Sequence, residues 1–97
     1  MSAPLTLVAR MRAKSGQQAR LRAELQRLVE PTRAETGCIG YDLHLSENDP
    51  ALFLFYETWK SQADLDAHFE TPHLQALLKI LPEMLEGEME MSKWKKC

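Results

Sequence analysis

The side chains best suited to chemistry gather in the stretch from Phe55 to Leu74, where Glu57, Trp59, His68 and His73 bring together a carboxylate, an indole and two imidazoles. An unperturbed imidazole titrates close to neutral pH, so His68 is a candidate general base or hydrogen-bond donor. Phe55, Glu57 and Trp59 share one face of a strand by their spacing of two, and Tyr41 could add a phenol from an earlier strand. Aromatic walls with a few polar groups describe a small-molecule pocket. The same residues also have plainer readings. A histidine on a buried stripe is more often hydrogen-bonded inside a core, and Glu57 would suit an ion pair with Arg10 or Arg12 if the first strand lay beside it. A metal site is weakly supported, because His68 and His73 are separated by a proline break and no third ligand is obvious. There is no Gly-rich phosphate loop, no G-x-S-x-G elbow, and no cysteine with a clear base partner.

The elements that must hold these groups follow from periodicity. The alternation of Ala51 to Trp59 predicts a strand, and the change to a 3.6-residue period after Ser61 predicts a helix with Leu65, His68 and Phe69 on its buried stripe. Ser61 with Asp64 has the form of a capping box. Thr71-Pro72 repeats the start signal, so the helix breaks and restarts between the two histidines. Its later stripe is Leu74, Leu77, Leu78 and Leu81, with Pro82 starting a last turn and Gly87 ending the helical region.

Elsewhere, Leu5 to Ala13 alternates as a first strand, with Leu5, Leu7, Ala9 and Met11 on one face. Ser15 and Gln18 predict a helix cap, and Leu21, Leu25, Leu28 and Val29 predict the helix. Pro31 should kink it or start a new turn, and Gly37 is a plausible terminator. Ile39 to Leu45 reads as a second strand, joined to the third by the turn residues Ser46 to Pro50; Glu88 to Trp94 reads as a fourth. Met89 and Met91 read as core or dimer-facing packing.

Ninety-seven residues with 44% apolar composition fit one domain over residues 1–97. Net charge is −2 (12 basic minus 14 acidic residues), with the signs interspersed, so no basic stripe points to nucleic acid. The opening Met1-Ser2-Ala3-Pro4-Leu5 lacks a signal-peptide layout, and no apolar run approaches the roughly 18 residues of a membrane span. The expected location is cytoplasmic, with Cys38 and Cys97 as free thiols.

The order βαββαβ predicts a ferredoxin-like α+β fold, with a four-stranded antiparallel sheet and both helices on one face. The third strand is apolar on both faces, Leu52, Leu54 and Tyr56 against Phe53, Phe55 and Trp59. Two helices on one side leave the other bare. A symmetric dimer packed through the open sheet faces would cover it.

Gly37-Cys38 with Gly40-Tyr41, the Glu57-x-Trp59-x-Ser61 step and Leu65-x-Ala67-His68-x-x-Thr71-Pro72-His73 resemble the antibiotic biosynthesis monooxygenase (ABM) family of dimeric α+β barrels, most closely its quinol monooxygenase branch. The resemblance implies a homodimer that oxidises small electron-rich aromatics with dioxygen and without cofactor or metal. It implies His68 as the catalytic base or donor, Trp59 as a wall for the ring, and Tyr41, Phe55, Glu57 and His73 as further substrate-binding residues. The family also holds haem degraders, whose axial histidine falls at Leu78 here, which argues against that activity. Its phosphosugar isomerases would need basic residues in the pocket. A third alternative is a dimer that binds a small aromatic without transforming it.

Overall fold

A computed structural model describes residues 4–97; residues 1–3, on which part of the leader-peptide reading rests, lie outside the described residues. In chain order the elements are β1 (Leu5–Arg12), α1 (Gln18–Arg33), β2 (Cys38–Leu45), β3 (Leu52–Trp59), α2 (Gln62–Phe69), α3 (Pro72–Ile80), a 3-10 turn (Leu81–Glu83) and β4 (Glu90–Trp94). The strands form one antiparallel sheet in the order β2-β3-β1-β4. This is the ferredoxin-like α+β fold that the element order predicts.

Strand parity decides what is buried. Leu7, Ala9 and Met11 of β1 and Phe53, Phe55, Glu57 and Trp59 of β3 point to the helix side, where Leu21, Leu25 and Leu28 of α1, Leu65 of α2, and Leu74 and Leu77 of α3 complete the core. The residues between them face away, and Tyr56 on that face is 46% exposed. The predicted two-sided character of β3 is therefore present, with one side covered by helices and the other uncovered within the chain.

Four local expectations are corrected. Gln17, not Ser15, is the N-cap of α1, and it makes no side-chain cap bond, because Lys14 to Gln17 is spent on a turn in which Gly16 takes φ +85°. Pro31 does not break α1. It sits in the last turn, where only one backbone bond is forfeited, and the helix continues to Arg33. Gly37 does not use a left-handed conformation to end a helix; its φ is not positive. Its role is close approach, since a β-carbon there would collide with the Asp64 side chain of α2. Finally, β4 begins at Glu90, two residues later than predicted, and its five residues are exposed.

Candidate active site

His68 owes its position to two caps. Ser61 Oγ accepts from the Asp64 amide at 3.2 Å and opens α2, as the capping box predicts. Thr71 joins α2 to α3: its hydroxyl donates to the His68 carbonyl at 2.7 Å and accepts from the Leu74 amide at 3.4 Å, with Pro72 as the first residue of α3. The break fixes the angle between the helices, and with it the two histidines. Their ring centroids lie 6.2 Å apart.

Both rings converge on one oxygen. His68 Nδ1 and His73 Nε2 each lie 2.8 Å from Glu35 Oε2. Glu35 belongs to the loop between α1 and β2, which is pinned by three backbone bonds: its amide donates to the Thr32 carbonyl, its carbonyl accepts from the Cys38 amide, and the Gly37 carbonyl accepts from the amide of Lys60, between β3 and α2. The close fit of Gly37 against Asp64 brings this loop down onto α2. A carboxylate has no proton to give, so both imidazoles must donate to it. That fixes the neutral tautomer of His68, with hydrogen on Nδ1 and an accepting lone pair on Nε2.

His68 lines a narrow cleft together with Tyr41, Phe55, Glu57, Leu7, Met11 and Leu28, and the partly exposed Phe69, Leu78, Met89 and Met91 form its rim. The open space is about 20 Å³, enough for one water. Tyr41 stacks on Phe55 at 4.4 Å, and the edge of its ring meets His68 at 5.6 Å. Trp59 is fully buried and stands behind the cleft instead of lining it, with its ring 4.6 Å from that of His68. His73 is outside the cleft, its side chain 24% exposed against 3% for His68.

Burial sets the electrostatics. Desolvation lowers the His68 pKa, partly opposed by the hydrogen bond and charge of Glu35, so the ring is neutral at neutral pH. Desolvation pushes Glu57 up to about 7, against the hydrogen bond that Trp59 Nε1 donates to its Oε1 at 3.0 Å and with the Glu35 charge adding to the rise. Tyr41 is driven well above the phenol range by burial. Cys38 is pushed up to about 11 by burial, which keeps it a thiol and not a nucleophile.

The expected ion pair of Glu57 with Arg10 or Arg12 does not form. The register sets Leu7 opposite Glu57 and Arg10 opposite Leu54, which places both arginines on the uncovered face, where Arg10 pairs with Glu90 at 3.8 Å and Arg12 with Asp49. Glu35 is the residue that sequence reasoning missed. It stands in an irregular loop with no periodicity to mark it, and its only signal is adjacency to the Gly37-Cys38 block.

The model of the antibiotic biosynthesis monooxygenase family matches residues 4–79. The crystal structure of PA3566 from Pseudomonas aeruginosa superposes with a TM-score of 0.95 at 36% identity, over 100% of this chain and 97% of that one. The probable quinol monooxygenase YgiN of Escherichia coli is 30% identical, with 74% of this chain and 79% of that protein covered. The uncharacterised protein sll1783 of Synechocystis is 32% identical over 95% of this chain, which spans only 63% of that relative's length. No helix among the described residues is long and apolar enough to cross a membrane. By the extent of the family match, and with a fold that agrees throughout, this chain belongs to the antibiotic biosynthesis monooxygenase family.

Proposed function

We propose that the protein is a monooxygenase that oxidises a small electron-rich aromatic, of the quinol or anthrone type, with dioxygen, the substrate itself supplying the electrons. The observation that carries this reading is the 2.8 Å bond from His68 Nδ1 to Glu35, which leaves Nε2 as the ring's acceptor on a histidine that lines a cleft whose walls, apart from Glu57, are aromatic and aliphatic. His68 takes the hydroxyl proton of a quinol. The anion then gives one electron to dioxygen, and the resulting radical pair closes a carbon–oxygen bond. Loss of water from the hydroperoxide, with His68 returning its proton, leaves a hydroxylated quinone; one quinol and one dioxygen become one product and one water. The chain's task is to bind, deprotonate and keep bulk water out.

Phe55 and Tyr41 would face the ring, Glu57 would accept a hydrogen bond from the second hydroxyl, and Trp59 and His73 would hold His68 and Glu35 in place. Space for one water does not admit a quinol, so the rim must give, and Met89 and Met91 are the flexible side chains there. A phosphosugar isomerase is poorly supported, because Glu57 is the one formally charged residue lining the cleft and Lys60 is exposed elsewhere. A second copy of the chain would cover the bare sheet face around Tyr56, giving the homodimer that the resemblance implies.

The test is oxygen uptake by purified, metal-stripped protein offered hydroquinones, naphthoquinols and anthrones, against autoxidation without protein. Uptake above that baseline that falls about 10²- to 10⁴-fold in His68→Ala is expected. Uptake at baseline for every compound, with saturable binding of the same compounds, would replace this reading with simple binding.

A further inference from the structure

We infer that Glu35, His68 and His73 form a binding site for a divalent transition-metal ion of the zinc class, one in which the ion takes the place of the two hydrogens now shared with Glu35 while each ring moves its proton to its other nitrogen. A nitrogen from each ring and a carboxylate oxygen lie within 4.8 Å of one another. Two imidazoles and one carboxylate are the donor set that catalytic zinc and related ions accept, three protein ligands with room for water or another small ligand in the fourth position. The site is nearly assembled, since the oxygen sits 2.8 Å from each nitrogen and an ion with bonds of about 2 Å in tetrahedral geometry needs these pairs to widen by only about half an ångström. The three groups come from three rigid places, α2, the start of α3 and the pinned loop, so the ordering entropy is largely met in advance. The partial exposure of His73 and Glu35 gives an ion a way in that does not pass through the cleft.

The ion site has a consequence for the cleft, which rests on the monooxygenase reading of His68 as the base. With a metal on Nδ1, the remaining ring proton must stand on Nε2, so His68 would present a donor to the cleft where it now presents an acceptor. Ion binding and base catalysis then exclude one another.

The site is tested by binding alone, so the outcome stands whether or not the protein oxidises quinols. Metal-stripped full-length protein is titrated with Co²⁺ at neutral pH and followed by visible absorption, with Zn²⁺ competition. One equivalent per chain is expected, with ligand-field bands and no thiolate charge-transfer band. Binding should weaken more than tenfold in His73→Ala and in Glu35→Gln and stay unchanged in His44→Ala and Cys97→Ser. A ¹⁵N spectrum of the Zn²⁺ form should show His68 metallated on Nδ1 and protonated on Nε2. His73 is partly exposed, so its variant should fold, and a melting curve checks that it does. No saturable Co²⁺ binding below millimolar concentration, or binding that survives both His73→Ala and Glu35→Gln, overturns the inference.

Discussion

Glu35 Oε2 stands 2.8 Å from His68 Nδ1, and the two residues, far apart in sequence, meet because Gly37 lets the loop after α1 close onto α2. This contact determines what His68 can do. Glu35 raises the affinity of the ring for a proton against the larger effect of burial, which lowers it. In Glu35→Gln the charge is lost while the shape is kept. The acid limb of kcat/KM for a quinol should therefore move to lower pH, and the plateau should fall about 10- to 100-fold, in the range seen when groups that orient a histidine are removed. KM should change little, since Glu35 does not line the cleft. A fall in activity without movement of the acid limb would reduce Glu35 to a packing role.

Glu57 makes stability depend on pH in a definite direction. Its carboxyl is raised from 4.5 to about 7 in the fold, so the native state binds more protons than the unfolded chain between those values. Its contribution is fully present below about pH 4.5 and is lost as pH rises through about 7. His68 has the opposite sign: its lowered pKa means that stability is lost as pH falls below the ordinary imidazole value of 6.5. Glu57→Gln keeps an oxygen for Trp59 Nε1 and removes the ionisation. It should be more stable than the parent at pH 8, by up to about 3 kcal/mol at 1.36 kcal/mol per pKa unit, with the difference vanishing toward about pH 4, below the unfolded value of 4.5. Denaturant midpoints at the two pH values measure this, and equal differences at both would show that Glu57 titrates normally.

Local chemistry was legible in the sequence, and long-range convergence was not. Ser61 and Thr71-Pro72 announce their caps because the partner amides lie three residues away, so α2, the break and α3 could be read directly. The stripe of Leu65 and His68 follows from the same register. Glu35 could not be found in this way: nothing local distinguishes it from other loop carboxylates, and its partners lie 33 and 38 residues downstream. The misplaced arginines were an error of parity. Arg10 and Arg12 alternate with Leu7 and Met11, and an antiparallel register that puts Leu7 beside Glu57 necessarily turns the arginines to the other face. Trp59 was expected to wall the substrate, but a large indole one pleat beyond Glu57 is better satisfied by full burial and a carboxylate partner.

Gly37 predicts the most specific stability effect. With its φ in the ordinary range, alanine is permitted by the backbone, and the cost lies in the collision of the new methyl group with Asp64. Gly37→Ala should destabilise the fold by about 1–3 kcal/mol, the usual range for overpacking. The strain falls on the contact that seats the Glu35 loop against α2, so activity should fall further than stability alone explains. Pairing Gly37→Ala with Asp64→Gly, which removes the β-carbon that the new methyl meets, should recover most of the loss, apart from the cap contribution of Asp64 and the helix cost of a glycine, whereas Asp64→Ala keeps that β-carbon and should recover little. A single variant as stable as the parent would mean that the loop has slack.

Tyr56 is central on the uncovered sheet face, flanked across the strands by Val8 of β1 and Asp42 of β2. If a second copy packs here, the Tyr56 ring is buried between two sheets. Tyr56→Lys then puts an ammonium into the interface while leaving the lone chain comfortable, because water solvates the amine on the open face; Asp42 across from it is already held by Arg33 at 2.9 Å. Removing a charge from water without a well-placed partner costs several kcal/mol, enough to dissociate an interface of ordinary affinity. Light scattering on the parent at tens of micromolar should give twice the chain mass, and the variant half of that with an unchanged circular dichroism spectrum. A monomeric parent, or a variant that remains dimeric, would mean that the bare face is not where the copies meet.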